Sequence, residues 1–145
     1  MKLSTKGRYA VMAMTDLARH GGRSVALAEI AQRQQLSQAY LEQLFARLRR
    51  KGLVVSARGP GGGYRLARAA EETSVADVVT AVDEPLRATR CAGHGSTKGC
   101  MKHGARCLTH DLWEQTGQRI FDYLSSVTLA DVLAGRLGGE PAKAA

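Results

Sequence analysis

SQAYLEQLFARLRRKGLVVSARGPGGGYRL, residues 37–66, carries two periodicities back to back. Its first half places Leu41, Leu44, Phe45 and Leu48 at helical spacing, opens on Ser37, a residue type that caps helices, and stops at Gly52. Its second half is a short β-branched run, LVVSA (53–57), then a loop of four glycines and one proline, then a returning run, GYRLA (63–67). The pattern predicts a helix followed by a two-stranded hairpin with a tight, exposed tip, because Gly61, Gly62 and Gly63 let the backbone turn sharply. Just upstream, VALAEIAQRQQL (25–36) predicts a short helix with Leu27, Ile30 and Ala31 on one face, about three residues ahead of the next. Two helices so joined form a helix-turn-helix, and the hairpin after them is its wing. The expected fold is mainly α with a small β wing.

Around this unit the chain continues in helices. From Ser4 to His20, Tyr9, Ala10, Ala13, Met14 and Leu17 recur at helical spacing before Gly21-Gly22. TSVADVVTAVD (73–83) predicts a helix capped by Thr73 or Ser74 and broken at Pro85, and residues 90–107 have the composition of a loop. A longer helix starts near Thr109, with Leu112, Trp113, Ile120, Phe121 and Leu124 on one side. TLADVLAG (128–135) is a short last helix, and 136–145 a flexible tail. The apolar side of the long helix either pairs with a second copy or folds back on its own core; pattern alone leaves both open. At 145 residues and 44% hydrophobic content the chain predicts one domain, residues 1–70, with an appended arm, 71–135.

The net charge of +8 is unevenly placed. Residues 1–70 hold 13 of the 21 Lys and Arg but only Asp16, Glu29 and Glu42 of the 13 acidic residues, which makes that half +10 and the remainder −2. A basic surface confined to one half is the footprint of a polyanion binder, and the expected partner is double-stranded DNA. In a helix-turn-helix the N-terminal residues of the second helix meet base edges. Here these are Ser37, Gln38, Ala39, Tyr40, Glu42 and Gln43. Gln38 and Gln43 can pair with adenine and Ser37 suits phosphate or base; Glu42 can accept from cytosine N4 yet repels phosphates, so it discriminates rather than attracts. Tyr40 suits reading and packing equally. At the wing, Gly59 and its neighbours admit the backbone to a sugar-phosphate wall, and Arg58 can enter a narrow minor groove. GPGGGY lacks the lysine and hydroxyl of a nucleotide-binding P-loop and precedes a strand, so nucleotide binding is not expected.

No run is long and apolar enough to cross a bilayer; no membrane partner is expected and the chain reads as cytoplasmic. Its three cysteines lie between Cys91 and Cys107, which fits a metal or redox site better than a disulfide framework. Cys91, Cys100, Cys107 and His110 have eight, six and two residues between them and make a closed four-ligand set. The last pair opens a helix, whose N-terminus favours the Cys107 thiolate. Tetrahedral zinc and an iron–sulfur cluster both take such donors; the long glycine-rich spacers lean toward iron–sulfur but leave the two nearly level. His94 and His103 in the same loop are alternative ligands, but read better as solvated loop residues. Four ligands leave no open coordination position and no H-x-E motif occurs, so the chain does not read as an enzyme.

MKLSTKGRYAVMAM, LSQAYLEQLFARLRRKGLV, RGPGGGYRL, AVDE, TRC and CLTHDLW together resemble the IscR-type regulators of iron–sulfur cluster assembly, a family of winged-helix repressors. The similarity spans about residues 1–130, with the wing and CLTH motifs the most specific. It implies a homodimer and a [2Fe-2S] cluster bound by Cys91, Cys100, Cys107 and His110, with the cluster assembly machinery as donor. It further implies control of cluster-assembly operons through the helix from Ser37 and through Arg58. Residues 71–135 would then be the cluster-binding loop and the dimerisation helices. Ala39 stands where these regulators tend to carry serine, and the cysteine spacers are longer than theirs. Nitric-oxide-sensing repressors are similar too, but tend to carry an aspartate ligand where this chain has Arg8. The alternatives are a nitric oxide or redox sensor of that kind and a zinc-stabilised DNA-binding module without sensing.

Overall fold

The computed structural model describes residues 4–82, 86 and 100–137. Helix α1 (Thr5–Arg19) forms where Ala10, Ala13, Met14 and Leu17 fall on one face over successive turns, all of them buried. Helix α2 (Leu27–Gln34) adds Leu27, Ile30 and Ala31, and α3 (Gln38–Arg50) adds Leu41, Leu44, Phe45 and Leu48. The connection between α2 and α3 is the three residues the sequence predicts. Gln35 takes the left-handed conformation at φ +54°, and the Gln35 and Leu36 N–H groups both end on the Ala31 carbonyl. Ser37 then caps α3, its Oγ accepting the Tyr40 N–H at 3.3 Å.

Strands β1 (Val54–Ala57) and β2 (Gly63–Leu66) pair antiparallel, with Val54 opposite Leu66 and Ala57 opposite Gly63. The tip closes as a turn in which the Gly62 N–H reaches the Gly59 carbonyl at 2.8 Å. Pro60 second and Gly61 third, at φ +75°, are the residues a type II turn demands. One expectation is corrected here: the second helix does not begin at Val25. Val25 exchanges two 2.8 Å backbone hydrogen bonds with Tyr64, an isolated β-bridge beside the two-stranded wing. That approach also explains Gly63, where a Cβ would stand 2.2 Å from the Val25 carbonyl oxygen. This glycine is demanded by the protein's own sheet rather than by an outside surface.

After the wing, a 3₁₀ turn (Ala70–Glu72) leads to α4 (Val75–Ala81), then α5 (His110–Ser126) and α6 (Leu129–Ala134). Of the two expected caps, Ser74 serves α4: its Oγ accepts the Asp77 N–H at 3.0 Å while Asp77 Oδ2 accepts the Ser74 N–H at 3.1 Å. Thr73 is buried instead and donates to the Ala69 carbonyl at 3.1 Å. The starts of α4 and α6 are strapped together by Val75 N–H to Val127 C=O, 2.8 Å, and Leu129 N–H to Thr73 C=O, 2.9 Å.

One apolar core runs through α1, α2, α3 and the wing and continues across residue 70 into Val78, Ala81, Val82 and Leu129. Phe45 sits at its centre, edge-on to the Tyr64 ring with centroids 5.0 Å apart. Helix α5 behaves otherwise. Only His110 and Gly117 are buried among its 17 residues, while Leu112, Trp113, Phe121 and Tyr123 lie exposed. Among the described residues no helix is long and apolar enough to cross a membrane.

Candidate nucleic-acid interface and metal centre

The outer side of α3 presents Gln38, Ala39, Glu42 and Gln43, followed by Ala46, Arg49 and Arg50, all exposed. Spacings of three and four make them one stripe, opposite the buried Leu41, Leu44, Phe45 and Leu48. Ser37 is exposed at its start; with its oxygen occupied by the Tyr40 N–H, its hydroxyl hydrogen is available to donate outward. Tyr40 is half-buried and meets the Tyr9 ring edge-on, centroids 6.1 Å apart. Arg58 and Gly59 stand exposed on the wing, and Arg58 makes no ion pair among the described residues. Arg49 Nη1 donates to Ser56 Oγ at 3.4 Å, so the helix stripe and the wing are joined into one surface.

The acidic residues of this half are mostly withdrawn from that surface. The Asp16 carboxylate is buried and accepts Arg33 Nη2 at 2.7 Å, Arg33 Nε at 3.1 Å and Gln34 Nε2 at 2.7 Å. Burial pushes this carboxyl up, but hydrogen bonds from Arg33 and Gln34 and the charges of Arg33 and His20 outweigh it and hold the group below its ordinary value. The three bonds clamp the end of α2 to α1 immediately before left-handed Gln35, which sets the angle at which α3 leaves. Glu29 lies 3.8 Å from Arg33, whereas Glu42 stays on the outer side of α3. Sequence reasoning did not find the clamp. Its signal was an acid next to Leu17 on the apolar side of α1, with a cation and an amide just ahead of the turn.

The second site lies at the root of α5. Cys100 Sγ stands 2.9 Å from His110 Nδ1, and Cys107 Sγ lies 3.8 Å from Thr109 Oγ1. The Thr109 hydroxyl, then the Cys100 thiol and the Thr109 N–H, hold the Cys107 thiol below its ordinary value. His110 is buried as the first residue of α5, its N–H bonded to the Cys107 carbonyl at 3.1 Å and its Nε2 3.8 Å from Glu114 Oε2. Cys100 is thus brought to His110 and neighbours Cys107; Cys91 lies outside the described residues, as does His94, and His103 is exposed on the loop. A thiol against an imidazole, with a second thiol next to the first, is a set of soft donors, suited to zinc or an iron–sulfur centre rather than to a hard cation. Asp111 and Glu114 beside His110 add carboxylate oxygens on the opposite side of the ring, and Asp111 is paired with Arg106 at 3.2 Å.

Comparison with known proteins gives the family. The sequence profile of the family described as "Rrf2: Iron-dependent Transcriptional regulator" matches residues 3–135. The chain is 52% identical over 135 residues to the HTH-type transcriptional regulator IscR of Vibrio vulnificus, covering 92% of this chain and 78% of that protein. It is 52% identical over 134 residues to its counterpart in Erwinia tasmaniensis, covering 92% and 79%. Among solved structures, that of T. potens IscR matches with a TM-score of 0.75 at 41% identity, over 100% of this chain and 93% of that one. CymR, the global cysteine regulator of B. subtilis, matches at 0.77 and 32% identity, over 93% and 98%.

Proposed function

The chain belongs to the Rrf2 family, among its IscR-type DNA-binding transcriptional regulators, and from that premise we propose that it reports iron–sulfur cluster supply as a homodimer. In this reading a [2Fe-2S] cluster is held by Cys91, Cys100, Cys107 and His110 and is received from the cluster assembly machinery, whose operons the protein controls. The observation that carries it is the 2.9 Å approach of Cys100 Sγ to His110 Nδ1, with Cys107 beside Cys100, at the first turn of a helix that leaves Leu112, Trp113 and Tyr123 exposed. When bound, the cluster supplies a compact charged cross-link between the loop and α5.

The protein's own residues do the rest. His110 opens α5, so whatever fixes its imidazole fixes the start of that helix. Helix α5 packs on α4, α4 on α1, and α1 on α3, a continuous path to the reading stripe. A second copy laid over Leu112, Trp113 and Tyr123, on the side of α5 away from the α4 contact, would set the separation of the two α3 helices, and thus the half-site spacing of the operator. Gln38, Gln43 and Glu42 would meet base edges, Ser37 a phosphate, and Arg58 the minor groove beside them, with Gly59 admitting the backbone.

The test begins with anaerobically purified protein, whose absorption spectrum should show visible charge-transfer bands with about two irons per protomer. A colourless protein with stoichiometric zinc would replace this reading by a structural zinc site. Cluster-loaded protein and the Cys91/Cys100/Cys107→Ala variant are then compared across several operators at one salt concentration. Sensing predicts affinities that differ by roughly 5–150-fold in an operator-dependent way. Identical rankings for the two forms would leave a constitutive DNA-binding module.

A further inference from the structure

A cavity of about 330 Å³ opens behind the reading head, between the end of α3, the root of the wing, α4 and α5. It is independent of the thiol site. The residues that begin α3 and face outward are separated from Lys51, its C-terminal cap, by roughly 18 Å of helix. Two cations nevertheless line the cavity at that far end, Lys51 and Arg68. Base reading at the start of α3 does not account for them.

Their charge balance says what they suit. Lys51 is exposed and makes no ion pair among the described residues. Arg68 Nη2 lies 3.3 Å from Asp77 Oδ2, and that same oxygen already accepts the Ser74 N–H, so Asp77 is a shared carboxylate. Two cations against one carboxylate leave room for a single negative charge. A dianion would meet repulsion from Asp77. The Thr80 and Ser125 hydroxyls add hydrogen-bonding groups, and Leu53 and the exposed ring of Phe121 form an apolar wall. A concave, largely apolar site with a few convergent polar groups, at the lower end of the usual ligand-site volumes, is the form small-molecule sites take.

We propose that this cavity binds a small organic monocarboxylate with an apolar body, its carboxylate between Lys51 and Arg68 and its body against Phe121 and Leu53. Such a ligand would bridge the root of the wing to α5.

The test titrates the full-length, isotope-labelled protein with phenylacetate, with the neutral phenylacetamide and with inorganic phosphate, following backbone amide resonances. Phenylacetate should give saturable shifts at Leu53, Thr80 and Ser125 with a dissociation constant of about 1 mM, and the other two probes should bind at least about tenfold more weakly. Lys51→Ala, which removes an exposed side chain, should keep the native spectrum and lose about tenfold in phenylacetate affinity. Ser125→Leu, which fills the opening, should lose binding as well. The proposal is overturned by non-saturable shifts, by equal binding of phenylacetamide, by tighter binding of phosphate, or by unchanged affinity in Lys51→Ala.

Discussion

Helices α3 and α5 treat their apolar residues in opposite ways. The 13-residue α3 buries Leu41, Leu44, Phe45 and Leu48; the 17-residue α5 buries His110 and Gly117 and leaves Leu112, Trp113, Phe121 and Tyr123 in solvent. The first belongs to a reading head that the chain completes by itself, through its own core and the Asp16 clamp. The second, in the reading proposed above, is completed from outside, by a second copy over its exposed apolar residues and by what its thiols and imidazole bind. A rigid reader joined to a conditional second half is what a switchable regulator requires, since only the weakly supported part can respond to a ligand.

The contrast is broken or confirmed most directly by truncating one aromatic residue in each half. Phe45→Ala should destabilise the protein by about 3–5 kcal/mol in urea unfolding, because it empties a fully buried site against Tyr64. Phe121→Ala, at a ring left 42% exposed at the edge of α4, should change folding stability by less than about 1 kcal/mol. Comparable losses from both would abolish the distinction between the halves.

Next in size is the clamp. Asp16→Asn should cost about 2 kcal/mol, less than a wholly buried ion pair because Arg33 remains partly in water. Its pH dependence has a definite sign. With the folded value held below the ordinary 3.8, Asp16 adds stability that is complete above that value and is lost as pH falls through the folded one. Parent and variant stabilities should therefore converge in acid, below about pH 4, and differ most at neutral pH. A constant gap across the acid range would show that the carboxylate charge is not what the clamp uses.

Arg58→Ala should leave thermal unfolding unchanged and weaken operator binding by about 1–3 kcal/mol per half-site, most on A·T-rich flanks. A salt titration that overlays the parent would remove the wing from the interface. The smallest expected effect on folding belongs to the loop. Changing both Cys100 and Cys107 to Ser should shift the unfolding midpoint of metal-free protein by no more than about 0.5 kcal/mol, since neither thiol belongs to the apolar core, while abolishing metal uptake. A large destabilisation without metal would make the loop part of the reader's own architecture.

Much of this was legible beforehand. The helical runs of α1 and α3, the wing, the Ser37 cap and the exposed stripe all follow from spacing along a few adjacent turns. Cys100, Cys107 and His110 could be nominated from residue type and spacing, and the structure brings Cys100 to His110. Val25 was not, because a single paired residue carries no periodicity and its partner, Tyr64, lies far along the chain. Asp16 was not, because a lone acid within an apolar stretch reads as an interruption until Arg33 and Gln34 are seen against it.

By itself the sequence determined the order and type of the elements, the basic half and the soft-donor loop, all of which depend on neighbours within a few residues and on side-chain chemistry. Only the tertiary structure decided that Val25 joins the wing and that Gly63 serves that joint. It also placed Asp16 inside, left Leu112, Trp113 and Tyr123 of α5 exposed and put Lys51 and Arg68 around a cavity away from the reading stripe. These are contacts between distant segments, and their energy depends on which groups meet in space and lose water together, which no local pattern encodes.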